Sequence, residues 1–244
     1  MKLTRSLIIL SALSAVAAAN AQTNYFLHPG GGGNNNGGEI RNIVGSFNSA
    51  TNRMTWSANF GNGIGGQKTD GYWLVVSPGP NPKGHASELA IFYFDASSAG
   101  NPKLSVYNYN GVNGSNSFAT GDKIKSSVAS FDWVNSLAVN DLADGSRTLS
   151  FDINATAIQN HVPSNPQGND WTGAAFGSSI GVWMHQTVGT STSYGQDGFL
   201  ESFSYDAQGW LDLNDVKTSP VPEPATMAVL GLGAAALIRR RKSR

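Results

Sequence analysis

The chain has 244 residues, with 16 basic and 16 acidic side chains, 29 glycines and no cysteine, which excludes disulfides, a thiol nucleophile and sulfur-ligated metal. Seven of the basic residues but only one acidic residue lie in the two terminal segments, so residues 22–220 keep 9 basic and 15 acidic side chains and a net charge near −6. An acidic body argues against nucleic acid and anionic lipid as partners, because both need a basic face.

The first 21 residues have the pattern of a secretory signal peptide. Lys2 and Arg5 give a positive start, residues 7–19 are apolar and small, and Ala19 and Ala21 form the small-x-small pattern that precedes cleavage. The apolar part is short for a membrane span, which disfavours an uncleaved anchor. We therefore predict that signal peptidase cuts after Ala21 and that the remaining chain is exported.

Residues 22–39 are rich in glycine and asparagine, with glycine at 30–33 and asparagine at 34–36. This composition predicts a flexible spacer. A phosphate-binding loop is the alternative for such a glycine run. It is disfavoured because the segment lacks the Gly-Lys-Ser/Thr ending and a preceding strand.

Residues 40–216 contain short alternating or apolar segments separated by turn residues, which predict strands. The first two, residues 40–47 and 53–60, flank a hairpin turn. The later predicted strands cover residues 72–76, 89–94, 104–109, 131–139, 148–153, 180–188, 199–205 and 210–213. Only residues 155–159 indicate a helical turn. This pattern predicts an all-β fold, a two-sheet antiparallel sandwich of jelly-roll or concanavalin-like type.

Five residues on these strands predict a ligand groove. Alternation places Tyr107 and Tyr109 on one face of their strand, and Trp183 and His185 on one face of theirs. It also places Glu201 on an aromatic face. If the three strands share a sheet, these side chains form a groove that binds carbohydrate, because aromatic rings stack on a pyranose and a carboxylate accepts hydrogen bonds from its hydroxyls.

Two alternatives remain for this set of residues. In the first, the rings are packing residues and Glu201 pairs with Arg147 or Arg53. In the second, the groove hydrolyses glycans, which requires a second carboxylate at a fixed separation, and Glu88 or Asp95 would supply it from another strand. No catalytic motif is present, so we predict no catalytic residues and a binding or structural role, with a carbohydrate-active hydrolase as the alternative.

The sequence predicts no metal site and no cofactor. Its four histidines are scattered without metal-ligand spacing. Calcium is an alternative, because oxygen ligands in turns could converge, although Asp and Asn are also ordinary turn formers and no twelve-residue calcium loop is present. The turn residues weighed for calcium are Asp141, Asp144, Asp206, Asp212, Asn214 and Asp215.

Residues 217–244 have three parts that together predict a C-terminal membrane tether. The parts are the motif Val221, Pro222, Glu223 and Pro224, an apolar run at residues 225–238, and a basic cluster at residues 239–244 that begins with Arg239, Arg240 and Arg241. The prolines keep the motif extended. At about 1.5 Å per residue the apolar run reaches about 21 Å, a short transmembrane segment for a hydrocarbon core of about 30 Å. The basic cluster would stay cytoplasmic.

This tail resembles the PEP-CTERM sorting signal of Gram-negative bacteria, which also carries the label of an ice-binding-protein C-terminal motif. The resemblance covers about a tenth of the chain. It implies processing by an exosortase, a membrane transpeptidase, in a host that makes exopolysaccharide, and a path from the inner membrane to the envelope or beyond. Ice binding would need a flat threonine array, and residues 190–193 are too short for one. Because proteins with this tail have unrelated bodies, a structural or carbohydrate-binding role rests on the body alone.

Overall fold

The computed structural model describes residues 23–221, apart from residues 80, 99, 113–116, 119–120 and 169, and gives the backbone alone for Val221. The predicted signal peptide lies outside the described residues. So do Pro222, Glu223 and Pro224, the predicted transmembrane segment at 225–238 and the basic cluster.

Strands make up most of the described fold. In chain order they are β1 (Thr23–His28), β2 (Ile40–Asn48), β3 (Arg53–Phe60), β4 (Gly71–Ser77), β5 (Ala90–Asp95), β6 (Lys103–Asn108), β7 (Lys123–Ser126), β8 (Val134–Asp141), β9 (Arg147–Asn154), β10 (Ser179–Val188), β11 (Ser191–Tyr194), β12 (Leu200–Ser204), β13 (Ala207–Gln208), β14 (Leu211–Lys217) and β15 (Ser219–Val221). One short helix, α1 (Thr156–Gln159), follows β9. The prediction of an all-β fold with a helical turn at 155–159 is confirmed.

The strands form two large antiparallel sheets and a separate hairpin. The first sheet has the order β15-β1-β2-β3-β9-β8, and the second has the order β13-β10-β4-β5-β6-β7, with β14 also paired to β10. Strands β11 and β12 pair only with each other. Consecutive strands therefore mostly pair as hairpins, which is the arrangement that short turns between alternating segments favour.

The two sheets pack face to face around one apolar core. Phe92 on β5 stacks on Phe151 of β9 with ring centroids 5.7 Å apart, and Phe60 on β3 lies 6.0 Å from Tyr72 of β4. Burying a large apolar side chain stabilises the fold by about 1.5–3 kcal/mol, so such pairs hold the layers together. Every residue of β4 and β5 is buried, as expected for central strands that are covered on both faces.

The prediction that residues 22–39 form a flexible spacer is wrong for residues 23–38. Residues 23–28 form β1 in the first sheet, and the glycine-rich segment that follows is docked on the fold. Asn34 forms an isolated antiparallel bridge with Trp210, and the Gln186 side-chain amide donates to the carbonyls of Asn34 at 3.1 Å and Gly38 at 2.9 Å. The glycines permit this close approach between backbones, so the segment is part of the domain.

Candidate functional site

The four ring residues of the predicted groove lie together on the outer face of the second sheet. The ring of Tyr109 lies 6.0 Å from Trp183, which stacks on His185 at 4.2 Å, and Tyr107 belongs to the same cluster. All four residues are more than nine-tenths buried. The predicted alternation is therefore correct, but these rings do not line an open groove.

The β11–β12 hairpin covers this face. Phe203 of the hairpin meets Trp73 edge-on at 5.6 Å and Tyr93 at 5.2 Å. The backbone N–H of Leu200 donates to the hydroxyl of Tyr107 at 2.9 Å. Trp73, Tyr93 and Tyr107 thus pack between the sheet and the hairpin, which for Tyr107 is the alternative weighed from the sequence.

Two carboxylates fasten the hairpin to the sheet. Asp95, which is buried, accepts hydrogen bonds from the hydroxyls of Tyr194 at 2.8 Å and Thr192 at 2.9 Å. Asp70 accepts from the backbone N–H of Thr190 at 2.9 Å and from its hydroxyl. Burial, with the nearby charge of Asp95, raises the pKa of Tyr194. These hydrogen bonds hold the hairpin against the sheet.

Glu201 does not face the rings, because a β-bulge interrupts its strand. Ser193 pairs with Ser202 while Tyr194 pairs with Leu200, so Glu201 is an extra residue without a partner in the ladder. An extra residue reverses the alternation beyond it. Leu200 is therefore buried and Glu201 is exposed. The prediction that Glu201 shares a groove with the aromatic residues is wrong.

The other acids weighed for hydrolysis have partners of their own. Glu88 contacts the ring of His85 at 2.7 Å, and Asp95 lies under the hairpin.

A further polar cluster has Asp122 between the hydroxyl of Ser164 and the ring of His161, which lies 3.0 Å from the carboxylate. In a catalytic triad the histidine must lie next to the serine to take its proton, so this order does not suit nucleophilic catalysis.

Three of the turn aspartates weighed for calcium form separate close ion pairs. The pairs are Asp141 with Arg147 at 2.7 Å and with Lys68 at 3.1 Å, Asp144 with Arg41 at 2.8 Å, and Asp212 with Lys83 at 2.5 Å. The hydrogen bond from Arg147 is the main cause that lowers the pKa of Asp141 to about 2. Within the described part of the chain, no three His, Asp or Glu side chains come together as metal ligands.

An open depression of about 590 Å³ lies on the outer face of the first sheet. Hydroxyl and amide side chains predominate around it, with one tyrosine and one arginine. Its lining residues are Thr23, Tyr25, Ser46, Asn48, Thr51, Arg53, Thr55, Asn135 and Asn154. We call this set the polar face. Five neighbouring strands, β1, β2, β3, β9 and β8, contribute residues to it.

The sheet register aligns the polar face into rows. Tyr25 pairs with Ser46, Ser46 with Thr55, and Thr55 with Asp152 of β9. Neighbouring strands lie about 4.8 Å apart, so each row presents polar groups at regular spacing. The hydroxyls of Ser46 and Thr55 lie 2.7 Å apart, while the Tyr25 side chain is 43% exposed. The row therefore offers a ring next to hydrogen-bonding groups.

An ion pair supports the same surface. Arg53 binds Asp152 through two hydrogen bonds, from Nε at 3.0 Å and from a terminal nitrogen at 2.5 Å. Asn135 adds a third at 2.9 Å. The Arg53 hydrogen bond is the main cause that lowers the pKa of Asp152, and the same contact raises the pKa of Arg53. Both groups are therefore fixed and charged at neutral pH.

The sequence prediction did not include the polar face, although a signal for it is present. On β3 the apolar residues Met54 and Trp56 alternate with Arg53, Thr55 and Ser57. The alternation identifies the core side of one strand, but the polar side becomes a site only when its neighbours are known. Strand β1, which supplies Tyr25, lies in the segment predicted as a spacer.

A family model, the PEP-CTERM protein-sorting motif, matches residues 220–242. The chain thus carries the recognition tag for exosortase processing, and the tag implies an exported protein that passes through the membrane during sorting. No curated protein and no solved structure gave a match. Among the residues described here, no helix combines the length and apolar character needed to span a membrane.

Proposed function

We propose that this exosortase-sorted protein works in the cell envelope or extracellular matrix, where its polar face binds exopolysaccharide without cleaving it. The observation that supports this function best is the open depression of about 590 Å³ lined by hydroxyls, amides and Tyr25. The sandwich that carries it is proposed to be of jelly-roll or concanavalin-like type. Its antiparallel two-sheet architecture supports that assignment.

The chemistry of the polar face suits a sugar chain. Amide and hydroxyl side chains such as Asn48 and Thr55 both donate and accept hydrogen bonds, as sugar hydroxyls do. The exposed ring of Tyr25 can stack on the C–H face of a pyranose. A chain of sugars could extend along a row of the sheet and contact several strands.

Binding without hydrolysis is proposed from the charges at the face. A glycosidase needs a pair of carboxylates, one of which must hold a proton near neutral pH. Asp152 lies beside the depression, but Arg53 lowers its pKa, which is the wrong direction for a general acid. The alternative, a hydrolase acting through Glu201, predicts that Glu201→Gln abolishes the release of reducing ends from a glycan.

The test is a glycan array probed with residues 22–221, in the presence and absence of calcium. We expect binding to a bacterial polysaccharide, and we expect Tyr25→Ala to weaken it about tenfold, which corresponds to about 1.4 kcal/mol. Tyr25→Phe keeps the ring and should retain most of the affinity.

Phe131→Ala is the matched control, because Phe131 is 55% exposed and lies outside the polar face. Equal affinity for the Tyr25→Ala and Phe131→Ala variants would contradict binding at this face. Reducing ends released by the wild-type protein and not by Glu201→Gln would favour the hydrolase.

A further inference from the structure

The sorting motif begins inside the folded domain. The matched region starts at residue 220, and Pro220 and Val221 belong to β15. In the first sheet β15 pairs with β1 in the register Ser219 with Tyr25, Pro220 with Asn24 and Val221 with Thr23. The residue that follows the last paired position is Pro222, so no linker separates the sheet from the Pro-Glu-Pro motif.

This arrangement leaves little room for an enzyme. An extended residue spans at most about 3.6 Å, so three residues such as 222–224 can reach no more than about 11 Å from the sheet edge. A membrane enzyme that binds the motif in its active site would therefore meet the first sheet before it could enclose the peptide.

Strand β15 has the features of a segment that can detach. It has three residues, it lies at the edge of its sheet, and Pro220 has no N–H to donate to β1. Short edge strands are the least firmly held parts of a sheet. The chain just before it is fixed, because Thr218 donates its hydroxyl to the Gly177 carbonyl at 2.7 Å and its N–H to the Ser178 carbonyl at 3.1 Å. Detachment of β15 from β1 would therefore stop at Thr218.

We propose that exosortase binds the sorting motif only after β15 has left β1, so that Ser219–Val221 enter the enzyme as part of its extended substrate. Thr218 is the point about which the strand turns. The released segment adds three residues to the reach of the motif. The remainder of the first sheet stays folded, because β1 keeps its full pairing with β2.

The test is a disulfide that locks β15 to β1 in the full-length chain. The paired positions Tyr25 and Ser219 are changed to cysteine in a protein that has no other cysteine, so thiol labelling reports directly on whether the bond has formed. Residues directly opposite in an antiparallel pair lie close enough for this bond. We expect membranes containing exosortase to leave the tail of the oxidised protein uncut and to process it again after addition of reductant.

The matched control is Ser193→Cys with Ser202→Cys, whose hydroxyls lie 2.7 Å apart in the β11–β12 hairpin. It carries the same bond away from the tail and should be processed like the wild type. In a second variant, a flexible six-residue insertion is added between Val221 and Pro222 of the protein locked by the disulfide at positions 25 and 219. The insertion should restore processing of the tail while the disulfide stays oxidised. Normal processing of the locked chain, or no rescue by the insertion, would overturn the proposal.

Discussion

The ion pair of Arg53 and Asp152 is the main electrostatic feature of the polar face. Two hydrogen bonds join the guanidinium to the carboxylate, and Asn135 adds a third. The Asp152 side chain is 17% exposed and the Arg53 side chain 60%, so solvent screens the pair from the arginine side. It aligns β3 with β9 at the end of the depression where Asn154 lies.

We predict that Asp152→Asn lowers the free energy of unfolding at neutral pH more than it does in acid. The pKa of Asp152 is lowered in the folded state from its ordinary value of 3.8. Its contribution to stability is therefore complete above the unfolded pKa and is lost as the pH falls below 3.8 towards the folded pKa. Urea unfolding of both proteins at neutral pH and in acid measures the difference. An equal loss at both pH values would contradict this role.

Residue patterns alone were enough to place most side chains on the correct face. Trp183 and Tyr107 lie on the outer face of their sheet, as alternation predicts. The prediction for Glu201 is wrong because a bulge adds one residue to β12, and a bulge depends on how two strands pair. The closing of the face by the hairpin depends on contacts between residues far apart in sequence, such as Asp95 with Tyr194.

At the scale of elements, the glycine-rich segment is a structural part of the domain. Gly33 has a positive φ of 71°, and a Cβ there would lie 1.7 Å from the carbonyl oxygen of Trp210. A Cβ added at Gly37 would likewise lie 2.0 Å from the carbonyl oxygen of Gln186. Composition alone predicts flexibility for such a run. Glycine permits both disorder and close backbone contact, so the sequence does not distinguish the two.

Gly33→Ala should lower the free energy of unfolding by more than about 3 kcal/mol, because the added methyl group would force the segment away from Trp210. Gly31→Ala is the matched control. Gly31 also has a positive φ, 78°, but no atom lies within 4 Å of its added Cβ. The free energy of unfolding of Gly31→Ala should fall by about 1–2 kcal/mol, which is the cost of the left-handed conformation alone. Chemical denaturation measures both, and equal losses would show that the segment is not docked as described.

At the scale of the whole molecule, the first and last described residues and the polar face come together at β1 and its partner β15. Thr23 lies two residues after the predicted signal-peptidase cut and pairs with Val221, next to the Pro-Glu-Pro motif. Thr23 and Tyr25 also line the depression. The paired residues Thr23 and Val221 thus bring the chain that follows the predicted signal-peptidase site next to the start of the sorting motif, and the polar face lies beside them.

Amide chemical-shift mapping of residues 22–221 with the bound glycan tests most directly whether the polar face binds polysaccharide. We predict perturbations concentrated on β1, β2, β3 and β9, including Tyr25 and Thr55. Perturbations confined to the β11–β12 hairpin around Glu201 would contradict it.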